Sequence, residues 1–160
     1  MKALEIAKAI DVKVMLKGEK HLRGCNGLYF PDKDEIVLRN SITEYSVEFV
    51  LLHELIHATG HVNRLGRVSV VLMGLGIGTS QLEIDTEESV AQFGAYYLGL
   101  VLELDKENLL ENLNGYSSCF NNLTPETMEY IKREAWNAAK WLCERTYGVG
   151  SFVDLEQKAA

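Results

Sequence analysis

The chain is short of the residues that define several broad protein classes. Among its 160 residues there are three cysteines, Cys25, Cys119 and Cys143, with no Cys-x-x-Cys spacing. That odd, scattered set argues against a disulfide framework and a thiolate zinc site, and it fits free thiols in a reducing cytoplasm. There are only two prolines, Pro31 and Pro125, and neither a linker, an internal repeat nor a low-complexity tract marks a domain boundary. Basic residues are outnumbered 16 to 23, giving a net charge of −7. This balance argues against a protein that grips phosphate backbones. The nearest basic pair, Arg64 and Arg67, is too small to bind DNA alone. No apolar run is long enough to cross a bilayer: Val68 to Ile77 is the greasiest window and holds two glycines. Lys2, Glu5 and Lys8 break up the first ten residues, so no signal peptide is expected.

What is present describes a folded domain. With 47% hydrophobic and 24% charged residues, the chain can bury a sizeable core. Residues 1–160 read as a single domain, with about 148–160 as a loosely held tail. Apolar spacing predicts a short helix over 2–10, a strand near 12–16, and a hairpin of strands 28–30 and 35–38 around Pro31-Asp32-Lys33-Asp34. Ser41-Ile42-Thr43-Glu44 fits a capping box that opens a helix, and Gly60 supplies its stop. Residues 62–80 read as irregular. Asp85 or Thr86 is expected to cap a second long helix reaching about Leu104, and Leu109, Leu110 and Leu113 mark a short third. Thr124-Pro125-Glu126 opens the last, with Met128, Ile131, Ala135, Ala138 and Leu142 as its core face. The class expected is α+β, a small N-terminal sheet packed on a buried helix with further helices around it.

Histidine is scarce too, but its distribution is informative. Three of the four histidines fall within residues 53 to 61, His-Glu-Leu-Ile-His-Ala-Thr-Gly-His. His53-Glu54-x-x-His57 is the helical spacing used by zinc hydrolases. Residues four apart on a helix lie about 40° apart with about 6 Å of rise, so both imidazoles point toward one place. Two neutral imidazoles there can hold a divalent ion such as Zn2+. Glu54 can then act as general base on a water whose pKa the metal lowers. The flanking helix is apolar from Val47 to Ile56, and polar groups buried on it need partners.

Three candidates exist for a third ligand. The metzincin pattern would place a histidine where Asn63 stands, which removes that reading. His61 lies about 12 Å along a continued helix from His53, so only a sharp turn at Gly60 returns it to the ion. An acid on the next helix serves better, in a manner that resembles thermolysin-like gluzincins. Glu88 is favoured, with Gln92 four residues on as a partner for a ligand, and Glu87 is the other contender.

The segments Thr59-Gly60-His61-Val62-Asn63-Arg64-Leu65-Gly66-Arg67 and Glu87-Glu88-Ser89-Val90-Ala91-Gln92-Phe93-Gly94-Ala95 resemble the metallopeptidase domain of ArdC-type antirestriction proteins and of phage and plasmid polyvalent proteins. Residues 28–38 and 130–142 are similar to the hairpin and the closing helix of that family, so the resemblance covers most of 25–145. It implies a zincin-like fold, His53 and His57 as ligands, Glu54 as catalytic glutamate and an acid of the second helix as third ligand. Family members also carry a domain for single-stranded DNA, for which these residues have no room, so nucleic acid is not expected as a partner. The expected activity is a zinc-dependent metallopeptidase of a mobile element acting on a peptide or protein. The competing reading is a zincin-fold protein that blocks a host defence protein by contact, without catalysis, through the apolar, glycine-rich segment 68–81.

Overall fold

A helix that is apolar on every side must lie inside the molecule. The segment around the histidines does so: Leu51, Leu52, Leu55, Ile56 and Ala58 are fully buried and Phe49 nearly so. The structure, a computed structural model, describes residues 1–22, 24–41, 44–115, 120 and 123–152. In chain order its elements are α1 (Lys2–Ala9), β1 (Lys13–Lys17), a 3-10 turn (Glu19–His21), β2 (Gly27–Phe30), β3 (Glu35–Arg39), α2 (Glu44–Thr59), α3 (Val68–Gly74), α4 (Gln81–Val101), α5 (Lys106–Gly115) and α6 (Pro125–Tyr147). The fold is α+β. The histidine helix α2 is surrounded by α1, α4, α6 and the inner face of a three-stranded sheet.

The sheet order is β1-β3-β2. The expected β2–β3 hairpin forms, with Leu28 opposite Val37 and Tyr29 opposite Ile36. β1 joins the far side of β3 in parallel, with Val14 opposite Ile36. β3 is therefore the covered central strand, which explains why Ile36, Val37 and Leu38 are all buried. β2 is left at an edge, beside α2. At the N-terminus the Ala3 amide donates to the Glu48 carboxylate of α2 at 2.9 Å, and Lys2 donates to the Leu102 carbonyl at the end of α4. An anion at the start of α1 and a cation at the end of α4 each suit the local helix dipole.

Several boundaries differ from those expected. Residues 68–74 are helical rather than irregular. Four of the seven are β-branched or glycine, which weakens the sequence signal. Burial of Val70 over Gly60 stabilises the helix nonetheless: a Cβ at Gly60 would lie 2.5 Å from Val70 Cγ2. α4 begins at Gln81, not near Asp85, because Ser80 and Glu83 form a reciprocal capping box. Glu88 thus lies well inside the helix rather than in its cap. Ile42 and Thr43 of the expected box before α2 lie outside the described residues, as do 153–160 of the tail. Within that tail, Phe152 is buried, its ring edge-on to Trp136 at 4.7 Å. Thr124 caps α6 by accepting from the Thr127 amide, with Pro125 next in line as expected. Among the described residues no helix is long and apolar enough to cross a membrane.

The α2–α4 contact positions everything that follows, and Gly94 lets it form. A Cβ at Gly94 would meet three carbons of Ile56 at 2.8 to 2.9 Å. Ile56 is fully buried and has nowhere to move. Gly94→Ala is expected to lower stability by about 1–3 kcal/mol through overpacking, despite the better helix propensity of alanine. Chemical denaturation measures this, and an unchanged or raised midpoint would refute the close-approach reading.

Candidate metal centre

Two helical ladders face each other across that contact. On α2, His53 and His57 are one turn apart; on α4, Glu87, Glu88 and Gln92 lie on the facing side. The ligand atoms of His53, His57 and Glu88 all fall within 4.8 Å of one another. The two Nε2 atoms are 3.1 Å apart, and the Glu88 oxygens lie 3.3 Å from that of His53 and 3.4 Å from that of His57. A tetrahedral ion with bonds of about 2.0–2.1 Å holds its ligand atoms about 3.3–3.4 Å apart. The three donors already have nearly that spacing.

The remaining ring nitrogens fix the tautomers. Gln92 Nε2 donates to the Asn112 carbonyl at 2.7 Å, which turns Gln92 Oε1 toward His53 Nδ1 at 3.0 Å. Glu87 Oε1 sits 3.1 Å from His57 Nδ1. Both Nδ1 atoms must therefore carry the hydrogen, and both Nε2 atoms present lone pairs to one point shared with a carboxylate. Three acceptors crowded together, two of them buried, favour a cation between them.

The electrostatics agree. Burial opposes charge on His57, yet Glu88 and Glu87 beside it raise its pKa well above 6.5. That rise favours a proton on His57 in the bare chain. Burial also opposes charge on Glu88, but His57 and His53 hold its carboxyl well below the ordinary range. Glu87 is buried far more deeply than Glu88, and Arg67 together with His57 keeps it ionised, with a pKa of about 2.

Glu54 lies on the open side of the cluster. It shares a cavity of about 410 Å³ with His53, His57, Glu88, the strand residues Gly27–Tyr29, and Met73. Burial pushes its carboxyl pKa up, against the pull of His53 and His57, and the Tyr29 backbone N–H bonds to it. Gly27 permits the approach: a Cβ there would lie 2.9 Å from Glu54 Oε1 and 2.7 Å from Val50 Cγ1.

Other residues take places that sequence reasoning assigned differently or not at all. Glu87 stands behind His57 rather than in the ligand group, and Gln92 stands behind His53. His61 is also outside that group; its Nδ1 accepts from the Asn63 amide at 3.2 Å. Arg64 and Arg67 form no basic patch. Arg64 grips Asp34 with both terminal nitrogens, at 2.8 and 2.7 Å, and also donates to the Ala58 and Ile10 carbonyls. Tyr29 donates to the same Asp34 carboxylate at 2.7 Å, which ties the β2–β3 turn to the end of α2. Arg67 is buried against Glu87. Asn112 and Ser69, which also touch this network, were missed because each acts through proximity in space with no spacing signature in the chain. No family model, curated protein or solved structure matches this chain.

Metal must displace the His57 proton. Zinc uptake near pH 7 is therefore expected to release on the order of one proton per ion, and affinity is expected to fall as pH is lowered, because protonated His57 competes. Calorimetry in buffers of different ionisation enthalpy measures the release. Uptake without proton release, at an affinity constant from about pH 6 to 8, would contradict the assignment of His57 as a ligand.

Proposed function

We propose that the protein is a zinc-dependent hydrolase of the metallopeptidase type with a zincin-like fold. One observation carries this reading: a buried carboxylate, Glu54, shares one cavity with the three-donor cluster of His53, His57 and Glu88. The same donor set can hold iron(II) in oxygenases. A buried carboxylate next to the cluster's open side, however, has a use in hydrolysis that oxygen chemistry does not require. A zinc ion held by these donors would acidify a water molecule and polarise a carbonyl.

The chain's own groups account for the proton movements. Glu54 takes a proton from water as its oxygen bonds to the carbonyl carbon, then delivers it to the departing amine nitrogen as the C–N bond breaks. Its raised pKa favours holding that proton between the two steps. The Tyr29 amide and the space at Gly27 keep the carboxylate aimed into the cavity. A peptide substrate is supported by the position of β2. It is an edge strand whose residues Gly27–Tyr29 line the cavity, so an extended chain could lie alongside it. The resemblance to ArdC-type domains supports the same chemistry and extends it to a protein of a phage, plasmid or other mobile element.

A second reading keeps the metal but not the catalysis: a zincin-fold protein that blocks a host defence protein by contact. The observation favouring it is a run of apolar side chains, Val68, Met73, Leu75, Ile77 and Leu82, each more than two-fifths exposed, of which Met73 lines the cavity. Glu54→Gln separates the two. It is expected to leave zinc binding intact and to lower peptide hydrolysis about 100- to 10,000-fold. Antirestriction activity that survives this substitution, with zinc still bound, would favour the contact mechanism and remove the peptidase.

A further inference from the structure

Glu87 can hold His57 only if the carboxylate is itself held. A glutamate has several rotatable bonds, and this one lies in the interior, where water cannot steady it. The group that fixes it is Arg67. Its Nε donates to Glu87 Oε2 at 2.9 Å and its Nη2 to Glu87 Oε1 at 2.7 Å, a two-point grip, while Ser69 Oγ donates to Oε2 at 3.0 Å. The same guanidinium reaches back to the helix that carries His57. Nη1 donates to Thr59 Oγ1 at 2.7 Å, and Nη2 donates to the Ile56 carbonyl at 2.6 Å. Those groups belong to the last turn of α2, where carbonyls lack helical partners and a cation is favoured.

We propose that Arg67 is a positioning residue for the metal centre, locking the Glu87 carboxylate of α4 against His57 Nδ1 and so presenting the His57 Nε2 lone pair to the ion. The proposal rests on the hydrolase reading above. Arg67 is 4% exposed and does not line the cavity, so it cannot touch a substrate and reaches His57 Nδ1 through Glu87. Its planar fork is needed: a lysine keeps the charge but cannot span two carboxylate oxygens, a hydroxyl and a carbonyl at once. Gly60 is part of the device, since a Cβ there would lie 3.1 Å from Arg67 Nη2. The spacing Thr59-Gly60…Arg67 thus has a physical meaning: an acceptor, a space, and the side chain that uses both. His53 is held differently, by the neutral amide of Gln92 bonded to Asn112.

The test is zinc affinity by competition with a chromophoric chelator, for wild type, Arg67→Lys, Glu87→Gln and the double variant, with folding checked by circular dichroism. The cobalt(II) absorption spectrum of each serves as a readout of ligand geometry that a purely structural role would not move. Each single substitution is expected to weaken zinc binding about 10- to 100-fold and to alter the cobalt bands. The double variant is expected to be no weaker than the poorer single one, because both changes release the same hold on His57. Folded single variants within twofold of wild type, or losses that multiply in the double variant, would overturn the proposal. Should Arg67→Lys fail to fold, Glu87→Gln decides alone: wild-type affinity overturns the proposal, and a loss of about tenfold or more supports it. A wild-type chain that binds no zinc removes the hydrolase reading, and this proposal with it.

Discussion

Two buried imidazole nitrogens 3.1 Å apart, with both Nδ1 atoms donating behind them and a half-buried carboxylate in front, call for positive charge between them. Much of the molecule can be understood from that constraint. Around the histidines helix α2 is largely apolar and enclosed, and enclosure is what makes its polar residues costly without partners. The cost is met on three sides. A cation, proton or metal, would sit between the Nε2 atoms. Gln92 and Glu87 satisfy the Nδ1 atoms behind them. Glu54 faces the cavity. The buried carboxylates of Glu54 and Glu87, the half-buried carboxylate of Glu88 and the guanidinium of Arg67 sum to three negative charges against one positive, a difference that one divalent ion would balance.

The two networks behind the histidines differ in kind. The Gln92–Asn112 network is neutral and borrows a backbone carbonyl, so it adds no charge to the core. The Glu87–Arg67 network is ionic and fully enclosed. Breaking one side of a buried ion pair typically costs about 3–5 kcal/mol, because the remaining charge is stranded. Arg67 therefore ties stability and site geometry together: the contacts that join α3 and α4 to the end of α2 also set the orientation of His57. Arg64 does the same farther out, joining the β2–β3 turn to α2 through Asp34, whose carboxyl is held below its ordinary range by Arg64 and Tyr29 despite partial burial. The end of α2 is thus fastened to the sheet on one side and to α4 on the other.

How much of this was legible in the chain depended on range. His53, Glu54 and His57 are one turn of one helix, so a local pattern carries them. The Glu87–Glu88 pair was readable as the source of a ligand, but neighbouring helical residues point about 100° apart, and choosing between them requires the rotation of α4 about its axis. Gly94 against Ile56 sets that rotation, and it directs Glu88 to the shared point and Glu87 behind His57. Arg67 was legible only as half of a small basic pair and as part of the family resemblance, because its burial depends on the path of the chain after Gly60. Gly60 itself was legible as a helix stop but not as the space that admits Val70 and Arg67. α3 was obscured by its β-branched residues, whose helical state is decided by packing rather than propensity.

Zinc K-edge X-ray absorption of the loaded protein tests the central claim most directly, because it reads donor type and distance at the ion. Two imidazole nitrogens and one or two oxygens at about 2.0–2.1 Å are expected. A sulfur at about 2.3 Å, which would bring in a cysteine such as Cys25 from the cavity wall, or a third imidazole, which would bring in His61, would contradict it.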